Sequence, residues 1–153
     1  MKARLLVLFV SLVTVSLAQS GPTFSSSPPS TSLHSLAEAR IFPLGPVGYA
    51  AQTSEEERQF KAIFALDRGK AEQELERLYS SGNPQAMSYA LVGMRKLDRK
   101  RYAELLVPSR ASDVSVVTMW GCEVEVERLR NVAKDLDSGK YDSWLRWMDK
   151  LSP

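Results

Sequence analysis

The chain has 153 residues, 44% of them hydrophobic and 25% charged, with a formal net charge of +2. This size and balance suit one globular domain with or without a processing segment. The basic excess lies in Lys2 and Arg4; without residues 1–18, basic and acidic residues are equal in number, so charge gives no ground for nucleic acid or an anionic membrane as partner.

Lys2 and Arg4 precede an uncharged, mainly apolar run, Leu5–Leu17, and Ser16 and Ala18 put small residues at −3 and −1 of a cut after Ala18. That is the layout of a secretory signal peptide, and the run is shorter than the roughly 20 apolar residues of a transmembrane helix. Residues 1–18 are expected to be removed on export, leaving no stable membrane span and a periplasmic or extracellular protein. The stretch "SGPTFSSSPPSTSLHS", Ser20–Ser35, contains the only histidine, His34, and has too little to bury to offset its ordering entropy. Residues 19–53 are read as a flexible Ser/Pro-rich tether and an extended arm. Pro43, Gly45, Pro46 and Gly48 interrupt any helix, while Ile41, Phe42, Leu44, Val47 and Tyr49 are suited to packing along the domain.

The helical domain is expected over 54–153. Ser54 and Glu57 form a capping-box pair at the start of "SEEERQFKAIFALDRG", with Phe60, Ile63 and Phe64 on one face and Gly69 at the end. Ala71, Leu75, Leu78 and Tyr79 make a second stripe. Asn83 and Pro84 supply cap and first turn for a third, through Met87, Ala90, Leu91, Met94 and Leu97. After a break at Asp98, Tyr102, Leu105 and Leu106 mark a fourth helix that Pro108 is expected to stop. "VSVVTMWG" is β-branched and reads as extended near 114–120. Leu129, Val132, Ala133 and Leu136 form a fifth stripe closed by Gly139, and Tyr141, Trp144, Leu145, Met148 and Leu151 a sixth.

The expected fold is all-α: about six short amphipathic helices arranged as helical hairpins over 55–79, 84–107 and 124–151. Segment 86–106, "AMSYALVGMRKLDRKRYAELL", resembles HEAT-like helical-hairpin repeats, which implies a stack; an irregular bundle fits the same pattern.

Four features compete as sites. Cys122 in "TMWGCEVE" is the only cysteine, so no internal disulfide exists. Catalysis needs a base such as histidine, and His34 lies in the tether; with Met119 it makes an incomplete metal set. It is read as a buried thiol beside Trp120 at the turn into the fifth helix, with a reactive thiol or a disulfide to another chain as alternatives. Arg95, Lys96, Arg99, Lys100 and Arg101 form a basic ridge that suits an acidic partner or a solvated helix end. Glu123, Glu125 and Glu127 alternate at strand-like spacing or open a helix; in a site they would serve acid–base work or a cation. Trp144 and Trp147 on the last helix are core residues or a binding edge.

Phosphate-loop, dinucleotide, nucleophile-elbow and paired metal-ligand motifs are absent from the sequence. No cofactor or metal is implied. The expectation is an exported, non-enzymatic module that binds another protein through the basic ridge and the Trp144/Trp147 edge. A small envelope enzyme using Cys122 or acidic residues and a self-associating structural domain are the alternatives.

Overall fold

The computed structural model describes residues 36–48 and 50–150, with side chains through Arg146. The proposed signal peptide, the tether with His34, Tyr49 and Leu151 lie outside the described residues, as do the side chains of Trp147 and Met148. The elements run β1 (Phe42–Pro43), α1 (Glu55–Phe64), α2 (Arg68–Ser80), α3 (Pro84–Leu97), α4 (Arg99–Arg110), β2 (Ser115–Trp120), β3 (Glu123–Arg128), α5 (Leu129–Ser138) and α6 (Asp142–Lys150). The fold is therefore predominantly helical but not all-α. A three-stranded mixed sheet, ordered β1-β2-β3, is built into it. Among the described residues no helix is long and apolar enough to cross a membrane.

Local chemistry sets most helix ends. Asn83 accepts from the amides of Gln85 and Ala86, with Pro84 in the first turn. Asp98 ends α3 in an extended conformation and caps α4 by accepting from Lys100 and Arg101. Gly139 closes α5 at φ 84°, the left-handed conformation that glycine adopts without penalty. Two expectations are corrected. Gly69 does not end the first helix: Asp67 caps α2, and Gly69 falls in its first turn. Pro108 does not stop α4, which runs on to Arg110 with the proline in its last turn, where the helix has only one more residue pair to lose.

The third helix is the axis of the molecule. It packs on α2, α4, α5, β1 and β2, and residues 88–94 are buried without a break. A helix covered on every side loses the polar face of an amphipathic surface helix. Gly93 permits its closest approach: a Cβ there would lie 2.5 Å from Leu75 Cδ2 of α2.

The arm residues Phe42 and Leu44 are buried in the same core as the helices, together with Leu36. Phe42 meets the rings of Tyr89 at 4.8 Å and Trp144 at 5.8 Å, both edge-on. Such pairs add about 0.5–1.5 kcal/mol each beyond the area they bury. Phe42 pairs with Thr118 in parallel register, and the Leu44 amide donates to Met119 O at 2.9 Å. The third expected helical pair begins instead as a strand: β3 runs antiparallel to β2 through six paired positions, from Ser115–Arg128 to Trp120–Glu123. The extended segment near 114–120 is thus the first half of a hairpin.

Candidate binding surface on the hairpin

Gly121 and Cys122 make a two-residue turn between β2 and β3. Gly121 has φ 59°, at the first central position where a type II′ hairpin turn takes glycine. The turn carries Cys122 out to the hairpin tip, where it is exposed. This overturns the expected buried thiol: the chain reverses at 121–122 instead of entering a helix. Trp120, its supposed cover, is itself 53% exposed.

Antiparallel register sorts the hairpin into two faces. Val116, Thr118 and Trp120 lie opposite Glu127, Glu125 and Glu123 on the inner face. Val117 and Met119 lie opposite Val126 and Val124 on the outer face. The inner face of β2 enters the core, with Val116 and Thr118 buried. On β3 the arrangement is inverted from the usual one. The glutamates turn toward the body of the protein, while Val124 and Val126 are 56% and 70% exposed. β3 is also an edge strand, hydrogen-bonded on one side only among the described residues.

Between β3 and the link that joins α5 to α6, the inner face borders a cleft of about 180 Å³, walled by Glu123, Glu125, Glu127 and Trp120. Lys140 and Tyr141 complete it from the opposite side. Burial pushes the Glu127 carboxyl above the usual range; Asp135 and Glu125 add to this, while Lys140 and the Thr118 hydroxyl oppose it. The Lys140 Nζ is held by Asp135 Oδ2 at 2.5 Å and lies 5.8 Å from the centre of the Tyr141 ring. Tyr141 is fully buried, its ring edge-on to Phe42. Burial drives its phenol far upward, and the charges of Glu127 and Asp135 and a hydrogen bond with Asp135 add to this.

A second hollow of about 270 Å³ adjoins the cleft. It shares Leu44 and Trp120 with it and is completed by Gly45, Pro46, Gly121, Ser143 and Trp144. Beneath it, Glu57 is fully buried and accepts from the Gly45 amide at 2.9 Å and the Trp144 indole at 2.7 Å. The Ser54 side chain caps α1 as expected, accepting from the Glu57 amide at 3.0 Å. Besides the Ser54 amide that a capping box supplies, the Glu57 carboxyl joins elements distant in sequence.

No family model, curated protein or solved structure matches this chain. Its surface chemistry is therefore the ground on which its function is read.

The residues singled out in sequence fall in three places. Arg95 is nearly buried and pairs with Asp142 at 2.5 Å, Lys96 lies over the Phe64 ring at 4.9 Å, and Arg101 pairs with Glu76 and Glu104. Only Arg99 and Lys100 of the ridge stand exposed outside these contacts. Trp144 is 3% exposed and belongs to the core, so its indole anchors Glu57. Trp147 belongs to α6. Cys122 stands apart on the hairpin tip. Glu123, Glu125 and Glu127 meet Thr118, Lys140 and Tyr141 on the inner face, while Val124 and Val126 stand on the outer face, an arrangement unforeseen in sequence; the signal that could have found it is the unbroken alternation of "EVEVE" directly after the Gly121-Cys122 turn.

Proposed function

We propose that the protein is an exported, non-enzymatic interaction module that docks a protein partner on the β2–β3 hairpin, with the helical hairpins as its scaffold. One observation carries this: of the five large apolar side chains exposed among the described residues, Trp120, Val124 and Val126 are on the hairpin and Val114 at its base. An edge strand with an uncovered valine face suits addition of a partner's backbone and side chains. The export half of the reading rests on the pattern of residues 1–18. The basic ridge is a weaker candidate than the sequence suggested, since Arg95 and Arg101 are committed to internal carboxylates.

The test is a quantitative pull-down from the exported fraction with the native chain and Val124→Thr/Val126→Thr, which keeps β-branching and removes the apolar face. Loss of a stoichiometric partner with unchanged Tm supports the reading; an identical partner profile overturns it.

A second reading has its own observation. Cys122 is exposed at a protruding turn, the geometry a disulfide between two copies requires. A dimer on a non-reducing gel of exported material, absent in Cys122→Ser, would favour self-association.

A further inference from the structure

A hollow of about 320 Å³ lies between the junction of α3 with α4 and the first turns of α6, and it shares no residue with the cleft or the hollow beside the hairpin. Four cations line it: Arg95 and Lys96 from the last turn of α3, Arg99 from the start of α4 and Arg146 from α6. One carboxylate, Asp142, and the side of Leu145 complete it.

Folding accounts for the first two cations. Arg95 and Lys96 stand at a helix C-terminus, where the dipole favours positive charge. Asp142 holds Arg95, and Lys96 lies over the Phe64 ring. Folding does not account for the other two. Arg99 and Arg146 are exposed, and no carboxylate among the described residues pairs with either.

Arg99 also opens α4, whose first turn holds Arg99, Lys100 and Arg101 and no acid. The dipole is positive there and opposes them. Arg101 is offset by Glu76 and Glu104, and the Asp98 carboxylate is turned to the amides of Lys100 and Arg101. Arg99 has no such offset among the described residues. A local rule broken without compensation inside the fold marks a place where function, not stability, sets the residue. The solvated helix end expected from sequence thus describes Arg95 and Lys96 and leaves Arg99 unexplained.

Sign and shape narrow the ligand. A polynucleotide needs a basic track along its backbone, and this charge is gathered in one hollow. A single carboxylate is a monoanion with two oxygens and matches one guanidinium fork. Two unpaired guanidiniums on different helices match a dianion with three terminal oxygens, which is a phosphate monoester. The volume stands at the lower end of the roughly 300–1,000 Å³ of small-ligand sites, and Leu145 offers apolar surface to the ester carbon.

We infer that the hollow between the α3–α4 junction and α6 binds a phosphate monoester, with Arg99 and Arg146 closing on its terminal oxygens and Arg95, held by Asp142, as the fixed cation of the wall. The site is independent of the proposed docking at the hairpin. Its ligand is either a free phosphorylated small molecule or the terminal phosphate of a lipid headgroup.

The probe is glycerol 3-phosphate, titrated into the full chain at constant ionic strength and followed by NMR. Saturable shifts at the amides of Arg99 and Arg146 are expected. Arg99→Gln and Arg146→Gln should each weaken binding by about tenfold, as expected for a lost charge-assisted pair, and the double change should abolish it. Arg99→Gln should leave Tm unchanged or raise it, since it removes a cation from a helix start. Val124→Thr/Val126→Thr should bind like the native chain. Acetate or dimethyl phosphate saturating the same shifts as tightly as glycerol 3-phosphate overturns the monoester. No saturation, or affinity unchanged in both arginine variants, overturns the site. Flotation with vesicles of one part phosphatidic acid to four of phosphatidylcholine, lost in Arg99→Gln/Arg146→Gln, assigns the phosphate to a lipid. Glycerol 3-phosphate binding without flotation assigns it to a free molecule.

Discussion

The Trp144 indole donates to Glu57 Oε1 at 2.7 Å across 87 residues of chain, and the Gly45 amide donates to the same oxygen. One buried carboxylate ties α1, the segment after β1 and α6 together beneath the hollow beside the hairpin. Glu57→Ala leaves two buried donors unmet, at about 1–3 kcal/mol each, and should cost about 2–5 kcal/mol by denaturant unfolding. Glu57→Gln keeps an oxygen for both donors and should stay within about 1 kcal/mol of the native chain at neutral pH.

The same carboxyl sets a pH dependence. Burial raises it above 4.5, against the pull of the Trp144 indole, the Gly45 and Ser54 amides and Lys61. Between its unfolded and folded values the native state holds a proton that the unfolded chain has released. Its contribution is therefore complete below the unfolded value and declines as pH rises through the raised folded value. The stability difference of Glu57→Gln minus native should grow across that window and then level off. A flat difference between pH 4 and 8, measured by urea unfolding, would contradict this.

Packing of α2 on α3 depends on Gly93. Its missing Cβ leaves room for Leu75, which is buried and has nowhere open to move. Gly93→Ala should destabilise by about 1–3 kcal/mol through overpacking. Combined with Leu75→Ala, the cost should fall below the sum of the two single changes, because the new methyl occupies part of the emptied space. Thermal and denaturant unfolding of the four proteins reads this directly.

Cys122 at the hairpin tip should react with a thiol reagent without denaturant, at a rate within about tenfold of the unfolded chain. Cys122→Ser should change stability by no more than about 0.5 kcal/mol, as for other exposed positions. A thiol that labels only in denaturant would mean that the hairpin tip is covered.

Much of the helical framework was legible because it is written locally. Asn83-Pro84, Asp98 and Gly139 fix helix ends through bonds reaching only a few residues, and the Leu129–Leu136 stripe is buried as its spacing implies. The hairpin was half legible: β-branching marked β2, but β3 reads polar-apolar with the unusual face turned inward. Alternation gives a strand's period and says nothing of which face a fold covers. Cys122 was misplaced for the same reason, since a helix start and a tight turn both tolerate Gly-Cys-Glu. The Glu57–Trp144 bond was out of reach, because a glutamate three residues after a serine satisfies the local capping rule completely. The Glu127–Tyr141 cleft likewise exists only once β3 folds beside the link between α5 and α6.

Docking at the hairpin is tested most directly by photo-crosslinking from its own thiol. A benzophenone maleimide on Cys122 of the exported protein should capture the partner found by pull-down, and Val124→Thr/Val126→Thr should abolish the capture. The same probe on Gln73→Cys in a Cys122→Ser background, exposed on α2, should capture none of it. Equal capture from both positions, or capture undiminished by the two threonines, would contradict the hairpin as the binding surface.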